Sequence, residues 1–469
     1  MRDLTQLSAL QLSAQIERGA LTSVEVTTAF LDRIEQLNPK INAIVGLRRR
    51  SDILADAQRA DETPRRGWLH GIPLAIKDLA ETKGIRTTYG SPLFAEHTPE
   101  HDSLVVKRIR DAGAIIIGKT NTPEFGLGSH TFNPIYGATR NPYALALTAG
   151  GSSGGAAAAL AARLVPIADG SDMMGSVRNP AAFCNVYGFR PSWGLVPAEP
   201  KGEMFFQQLA TSGPMGRSPA DLAALLNTIA GPDPRLPHDT SVAPDLCDLK
   251  GTVTGKRMGW LADWGGAYPC EDGILSLCET GLAAFKQLGC IVEPIVPPFD
   301  ATDLWWSWRT LRAWANACKM KDAYDDLEKR ALLKPEMIWE IEQGLLLSAR
   351  DVHDASEIRS AWFRKLVDLS TEYDAFTLPS AQVWPFPVEW TYPEMINGAK
   401  MDTYHRWMEI VVPVSLIGLP CLAIPAGFGA QGLPMGLQLF GPRGSDRNIL
   451  TLGQAYHTVH DWTAQAPDL

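Results

Sequence analysis

The sequence has no long apolar run. No stretch approaches the roughly 18 consecutive apolar residues that cross a bilayer, so no membrane-spanning helix is expected. The start, Met1-Arg2-Asp3-Leu4-Thr5-Gln6, lacks the apolar core of a secretory leader. Seven cysteines, at 184, 247, 270, 278, 290, 318 and 421, are odd in number and form no Cys-x-x-Cys pair. Neither a disulfide framework nor a structural zinc site fits that pattern, and reduced thiols in a cytoplasm do. Basic residues are outnumbered, 43 Lys and Arg against 52 Asp and Glu, for a net charge of −9. Beyond Arg48-Arg49-Arg50 no basic run occurs, so nucleic acid is not an expected partner. Of the nine histidines only His97 and His101 stand at His-x-x-x-His spacing, and Pro99 between them breaks the helix that would bring both to one metal ion, which speaks against a metal hydrolase.

One apparent motif fails on its chemistry. Gly113-Ala-Ile-Ile-Ile-Gly118-Lys119-Thr120 matches the phosphate loop G-x-x-x-x-G-K-[ST] letter by letter. Its middle is Ala and three Ile, which favour a strand over a loop of exposed N–H groups. Asn121-Thr122-Pro123 stands where the phosphate-binding helix should begin.

What the chain does have is a pair of glycine-rich, serine-bearing turns. Gly150-Gly151-Ser152-Ser153-Gly154-Gly155 is followed by Gly170-Ser171-Asp172-Met173-Met174-Gly175-Ser176-Val177-Arg178. Glycine lets a ligand approach the main chain closely. A serine beside converging N–H groups supplies a nucleophile and oxyanion donors together. A Gly/Ser run can equally be a linker, but helix-forming Ala156 to Leu164 and apolar Leu164 to Ala168 lie between the turns. Upstream, Leu74-Ala75-Ile76-Lys77 reads as a buried strand. Locally, Lys77 could reach solvent from the strand end or stay buried, where its amine would lose basicity and accept protons near neutral pH. No Gly-x-Ser-x-Gly elbow surrounds Ser176, so an α/β-hydrolase is not indicated.

Elsewhere the periodicity predicts helices over 4–18, from Thr22 to Asn38-Pro39 with Thr22 and Glu25 at capping-box spacing, over 221–230 and over 274–288. Strands are predicted at 256–261, 290–296, 418–427 and 432–439, and an exposed connection over 231–256. Residues 303–410 are rich in aromatics, and Trp384-Pro385-Phe386-Pro387 with Trp390 suggest an apolar or aromatic substrate.

The two turns resemble the signature of the amidase signature family, in which GGSSGG precedes G-[ST]-D-x-G-G-S-[IV]-R-x-P-A. Gly71-Ile72-Pro73 through Lys77-Asp78, Gly118 through Phe125, and both closing strand patterns resemble the family too. The resemblance implies that Ser176 is the nucleophile, Ser152 a bridging serine on a cis peptide bond and Lys77 the base. It implies an oxyanion site from the N–H groups of 173–176, that is Met173, Met174 and Gly175 with Ser176. Met174 departs from the family's usual glycine, and Ala149 from its usual proline. Asp172 and Arg178 are expected to brace the turn, and His70 to be structural.

The implied fold is a single α/β domain with a twisted mixed sheet surrounded by helices. Residues 1–60 would give N-terminal helices, 61–220 the signature core, 231–410 a variable pocket region and 411–469 a return to the core sheet. The implied activity is hydrolysis of a small-molecule carboxylic amide through an acyl-enzyme, with esters and carbamates as further substrates. Neither metal nor organic cofactor is implied, and a homodimer is the family-level expectation. Two rival readings are a glutaminase subunit of a tRNA-dependent amidotransferase and a non-catalytic binding protein on the same fold.

Overall fold

The computed structural model describes residues 3–238, 245–246 and 248–469. Cys247 and residues 239–244 of the expected connection lie outside them. The architecture is the expected mixed α/β single domain. Its central sheet has eight strands, in the order Ile291–Pro294, Arg257–Trp260, Ala375–Pro379, Pro434–Phe440, Cys421–Phe428, Tyr187–Arg190, Thr211–Gly216 and Ile167–Asp172. Arg257–Trp260 pairs in parallel with both its neighbours, and the other pairings are antiparallel. The C-terminal strands therefore fill the middle of the sheet, where their near-continuous apolar sequence belongs.

The strand Pro73–Lys77 is not part of that sheet. It pairs in parallel with Ile115–Thr120 in a separate three-stranded sheet whose other edge is Ile44–Val45. The two sheets are stitched where the Lys77 N–H donates to Asp169 Oδ1 at 2.9 Å. Ile115–Thr120 is the phosphate-loop lookalike. It is fully buried strand, and Lys119 Nζ donates to Ala80 O at 2.6 Å and Thr82 Oγ1 at 2.9 Å. The lysine is already engaged and no phosphate cradle forms.

The expected helices appear with two corrections. The first is split into a short turn, Leu4–Gln6, and a helix, Ala9–Glu17, because Ser8 and Gln11 form a capping box that restarts it. The second, Ser23–Ile41, has the expected Thr22–Glu25 box but runs through Pro39. Proline there removes one N–H donor close to the helix end, and left-handed Asn42, whose N–H donates to Asn38 O, ends the helix. The alanine-rich helix Gly154–Ala161 is wholly buried. A Cβ on Gly155 would lie 2.2 Å from Asn121 N and 2.6 Å from Ala43 O, so glycine lets this helix start press against the neighbouring backbone.

Candidate active site

Lys77 ends its strand almost fully buried, 1% exposed. The alternative in which it reaches solvent is thereby excluded. Its Nζ donates to Ser152 Oγ and Ser153 Oγ, each at 2.8 Å, and to Ser171 Oγ at 3.0 Å. Burial lowers its pKa to about 7, against the opposing pull of the Asp169 and Asp172 charges. A buried amine on three hydroxyls is thus poised between its two protonation states at neutral pH.

The first serine turn is held around a cis Gly151–Ser152 peptide. Ser129 Oγ donates to Gly151 O, and the Gly154 N–H donates to Thr131 Oγ1 at 3.2 Å. The two turns meet directly, since the Ser153 N–H donates to Ser176 O at 3.0 Å. Ser152 and Ser176 open onto the same cavity, of about 450 Å³.

The second turn is built on Asp172. Its carboxylate accepts from the N–H groups of Gly175 and Val177 at 3.0 and 3.1 Å. It also pairs with Arg178 at 2.8 Å and Arg190 at 3.2 Å, all three side chains fully buried. Burial works to raise the Asp172 carboxyl, but the two guanidiniums and the Val177 N–H hold it well below the usual carboxylate range. Arg178 reaches on to Gln438 Oε1 at 2.6 Å, Ser415 Oγ at 2.6 Å and Val411 O at 3.1 Å. Both residues brace the turn as expected. His70 is likewise structural, its Nε2 lying 2.8 Å from Ala60 O.

This bracing engages one of the expected oxyanion donors and leaves the others open. The Gly175 N–H donates to Asp172 Oδ1. Among the described residues, the N–H groups of Met173, Met174 and Ser176 have no acceptor. Met174 is compatible with the turn because the left-handed residue is Gly175, φ +78°. A Cβ at 175 would fall 2.1 Å from Asn179 Oδ1. Met174 itself is buried, packing into the core while bordering the cavity.

The aromatic expectation is corrected. None of Trp384, Phe386 and Trp390 lines the cavity, whose aromatics are Tyr89, Phe125 and Trp193. Phe386 and Trp390 stack on each other, and Trp384 Nε1 donates to Asp272 O. Methionine lines the cavity instead: Met173, Met174, Met204, Met320, Met337 and Met408, half of the twelve in the chain. The variable region adds the helix Ala301–Lys319, which brings Arg312, Asn316 and Lys319 to the wall. Arg312 is buried on Glu340, 2.6 Å, and Tyr404, 2.9 Å. Sequence reading missed Ser153 and Ser171 on Lys77, although both lie in the quoted turns, and missed the Arg312 cluster, which no local pattern announces.

A protein-family model described as Amidase matches residues 25–450. This chain belongs to the amidase family. An acylamidase of Rhodococcus erythropolis is 32% identical over 473 residues, covering 99% of this chain and 98% of that protein. One component of the glutamyl-tRNA(Gln) amidotransferase of Roseiflexus castenholzii is 34% identical over 497 residues, covering 100% and 99%. The crystal structure of a bacterial aryl acylamidase of the amidase signature family superposes with a TM-score of 0.91 at 27% identity, covering 98% of this chain and 97% of that one. This amidase is accordingly an enzyme that hydrolyses carbon–nitrogen amide bonds, which sets aside the non-catalytic reading. Among the described residues, no helix is long and apolar enough to cross a membrane.

Proposed function

We propose that Ser176 is the acylated nucleophile, that Ser152 relays its proton and that Lys77 is the base. The observation that carries the reading is the 2.8 Å bond from Lys77 Nζ to Ser152 Oγ, with the amine held near pKa 7. Ser176 Oγ adds to the amide carbon. Its proton passes to Ser152 Oγ, whose own proton moves to Lys77, because a hydroxyl donates and accepts at once. The oxyanion forms beside the free N–H groups of Met173, Met174 and Ser176. Collapse expels the amine, which takes the proton back along the same path. Water then cleaves the acyl-serine ester by the reverse relay. Esters and carbamates react by the same steps.

The substrate is a small amide with an apolar or aromatic portion. The methionine-rich wall supports this, since thioethers pack adaptably and favourably against aromatic rings, and so does the resemblance to acylamidases. Free glutamine is a poorer match. Its ammonium and carboxylate need unpaired opposite charges near the carbonyl, and Arg312, which touches Met173, is already paired with Glu340.

The test is intact mass after exposure to a small fluorophosphonate, with peptide mapping. One adduct on Ser176, lost or much slowed in Lys77→Ala, is expected. An adduct on another residue, or labelling independent of Lys77, sinks the assignment.

A further inference from the structure

Two donors in the cavity wall lack a good acceptor. Asn316 is 7% exposed and lines the cavity. Its Nδ2 is buried without a partner, and its side chain makes no hydrogen bond among the described residues. One turn earlier on the same helix, Arg312 uses Nε on Glu340 and Nη2 on Tyr404. Its Nη1 meets only Met173 Sδ, at 3.3 Å, and a thioether is a weak acceptor. Residues four apart share a helix face about 6 Å apart along the axis. The pair thus forms a short polar track running from the second serine turn into an otherwise methionine-rich cavity.

An unsatisfied buried amide is costly, and here an incoming molecule can relieve it. Asn316 can rotate to present its NH2 group, while Arg312 redirects Nη1 from sulfur to oxygen. The bound molecule must therefore bring an oxygen acceptor. Its charge follows from the surroundings. Arg312 is already neutralised by Glu340, and the lining holds Lys319 and Arg312 against Glu199 and Glu203. With no net positive field, desolvating a carboxylate gains nothing over a carbonyl.

We infer that the substrate carries, besides the scissile amide, a neutral oxygen acceptor of the ketone or carboxamide kind that bonds Asn316 and Arg312. This rests on the acyl-transfer reading above and adds a required substituent to it. Asn316 becomes a specificity-determining residue.

The test uses aryl amides that differ in one substituent: carboxamide, carboxylate or the apolar isopropyl isostere. Each substituent is placed once on the acyl half and once on the amine half. kcat/KM is measured for the wild type and Asn316→Leu, and the carboxamide-to-isopropyl ratios are compared, which cancels intrinsic reactivity. On one half, the wild-type ratio should exceed the variant's by about tenfold or more, mainly through KM. Ratios within twofold on both halves overturn the inference, as does a wild-type preference for carboxylate over carboxamide. Should Asn316→Leu not fold, Asn316→Ala makes the same comparison without added bulk and without a donor. If no amide is hydrolysed and no fluorophosphonate adduct forms, the acyl-transfer reading fails and takes this one with it. Hydrolysis without a ratio change refutes the substituent alone.

Discussion

Replacing Lys77 by methionine separates two consequences of one buried amine. The side chain keeps a similar length and loses its basic nitrogen. In the folded enzyme the Lys77 pKa is about 7, against 10.5 for the free side chain. At ~1.4 kcal/mol per tenfold change, that gap corresponds to about 5 kcal/mol. The sign follows from proton counting. Below pH 7 the amine is charged in both states, and the full burial penalty opposes folding. Above 10.5 it is neutral in both, and the penalty is gone. Between those limits the unfolded chain binds more protons, so stability rises with pH. Urea unfolding of the wild type and Lys77→Met from pH 6.5 to 10 isolates this residue, because other titrating groups, Lys119 among them, are common to both. The wild type should gain on the variant by several kcal/mol across the window. Catalysis gives the second reading. Fluorophosphonate labelling should rise with pH to a plateau above about 7 as Lys77 loses its proton, and Lys77→Met should label roughly 10²–10⁴ times more slowly with no such limb. A wild-type rate flat from pH 6 to 9, or a variant labelled within threefold of it, refutes Lys77 as the base.

Other substitutions test the architecture around the site. Gly175→Ala puts a methyl 2.1 Å from Asn179 Oδ1 at φ +78°, and denaturant unfolding should show a loss of about 2–4 kcal/mol. Asp172→Asn leaves two buried guanidiniums without their counterion, so a loss on the order of 3–5 kcal/mol is expected in the same assay. Trp390 is half exposed and outside the cavity. Trp390→Ala should keep kcat/KM for aryl amides within about threefold, the size of a surface change. Titration calorimetry with Mg-ATP should give no binding heat, because Lys119 is buried on Ala80 and Thr82.

The serine turns and Lys77 were legible because their chemistry is written locally, glycine for close approach and hydroxyls at fixed places. The strands Cys421–Phe428 and Pro434–Phe440 announced themselves as apolar runs between turns. Their place at the centre of the sheet, and the exclusion of Pro73–Lys77 from it, depended on long-range pairing that no local pattern encodes. The availability of each N–H around Met174 turned on where the Asp172 carboxylate pointed, a side-chain fact invisible in the letters. The tryptophans misled because large aromatics serve packing as readily as binding, whereas methionines at 173, 174, 204, 320, 337 and 408 converge from segments far apart in sequence.

Arg178 joins the second serine turn to Val411, Ser415 and Gln438. Those partners leave the ribosome more than two hundred residues after the arginine itself, about 233 for the nearest of them. A nascent polypeptide that has emerged only as far as residue 400 holds both serines and the lysine, yet has nothing to receive the far side of that arginine. The turn gains these braces only once those later segments have been made.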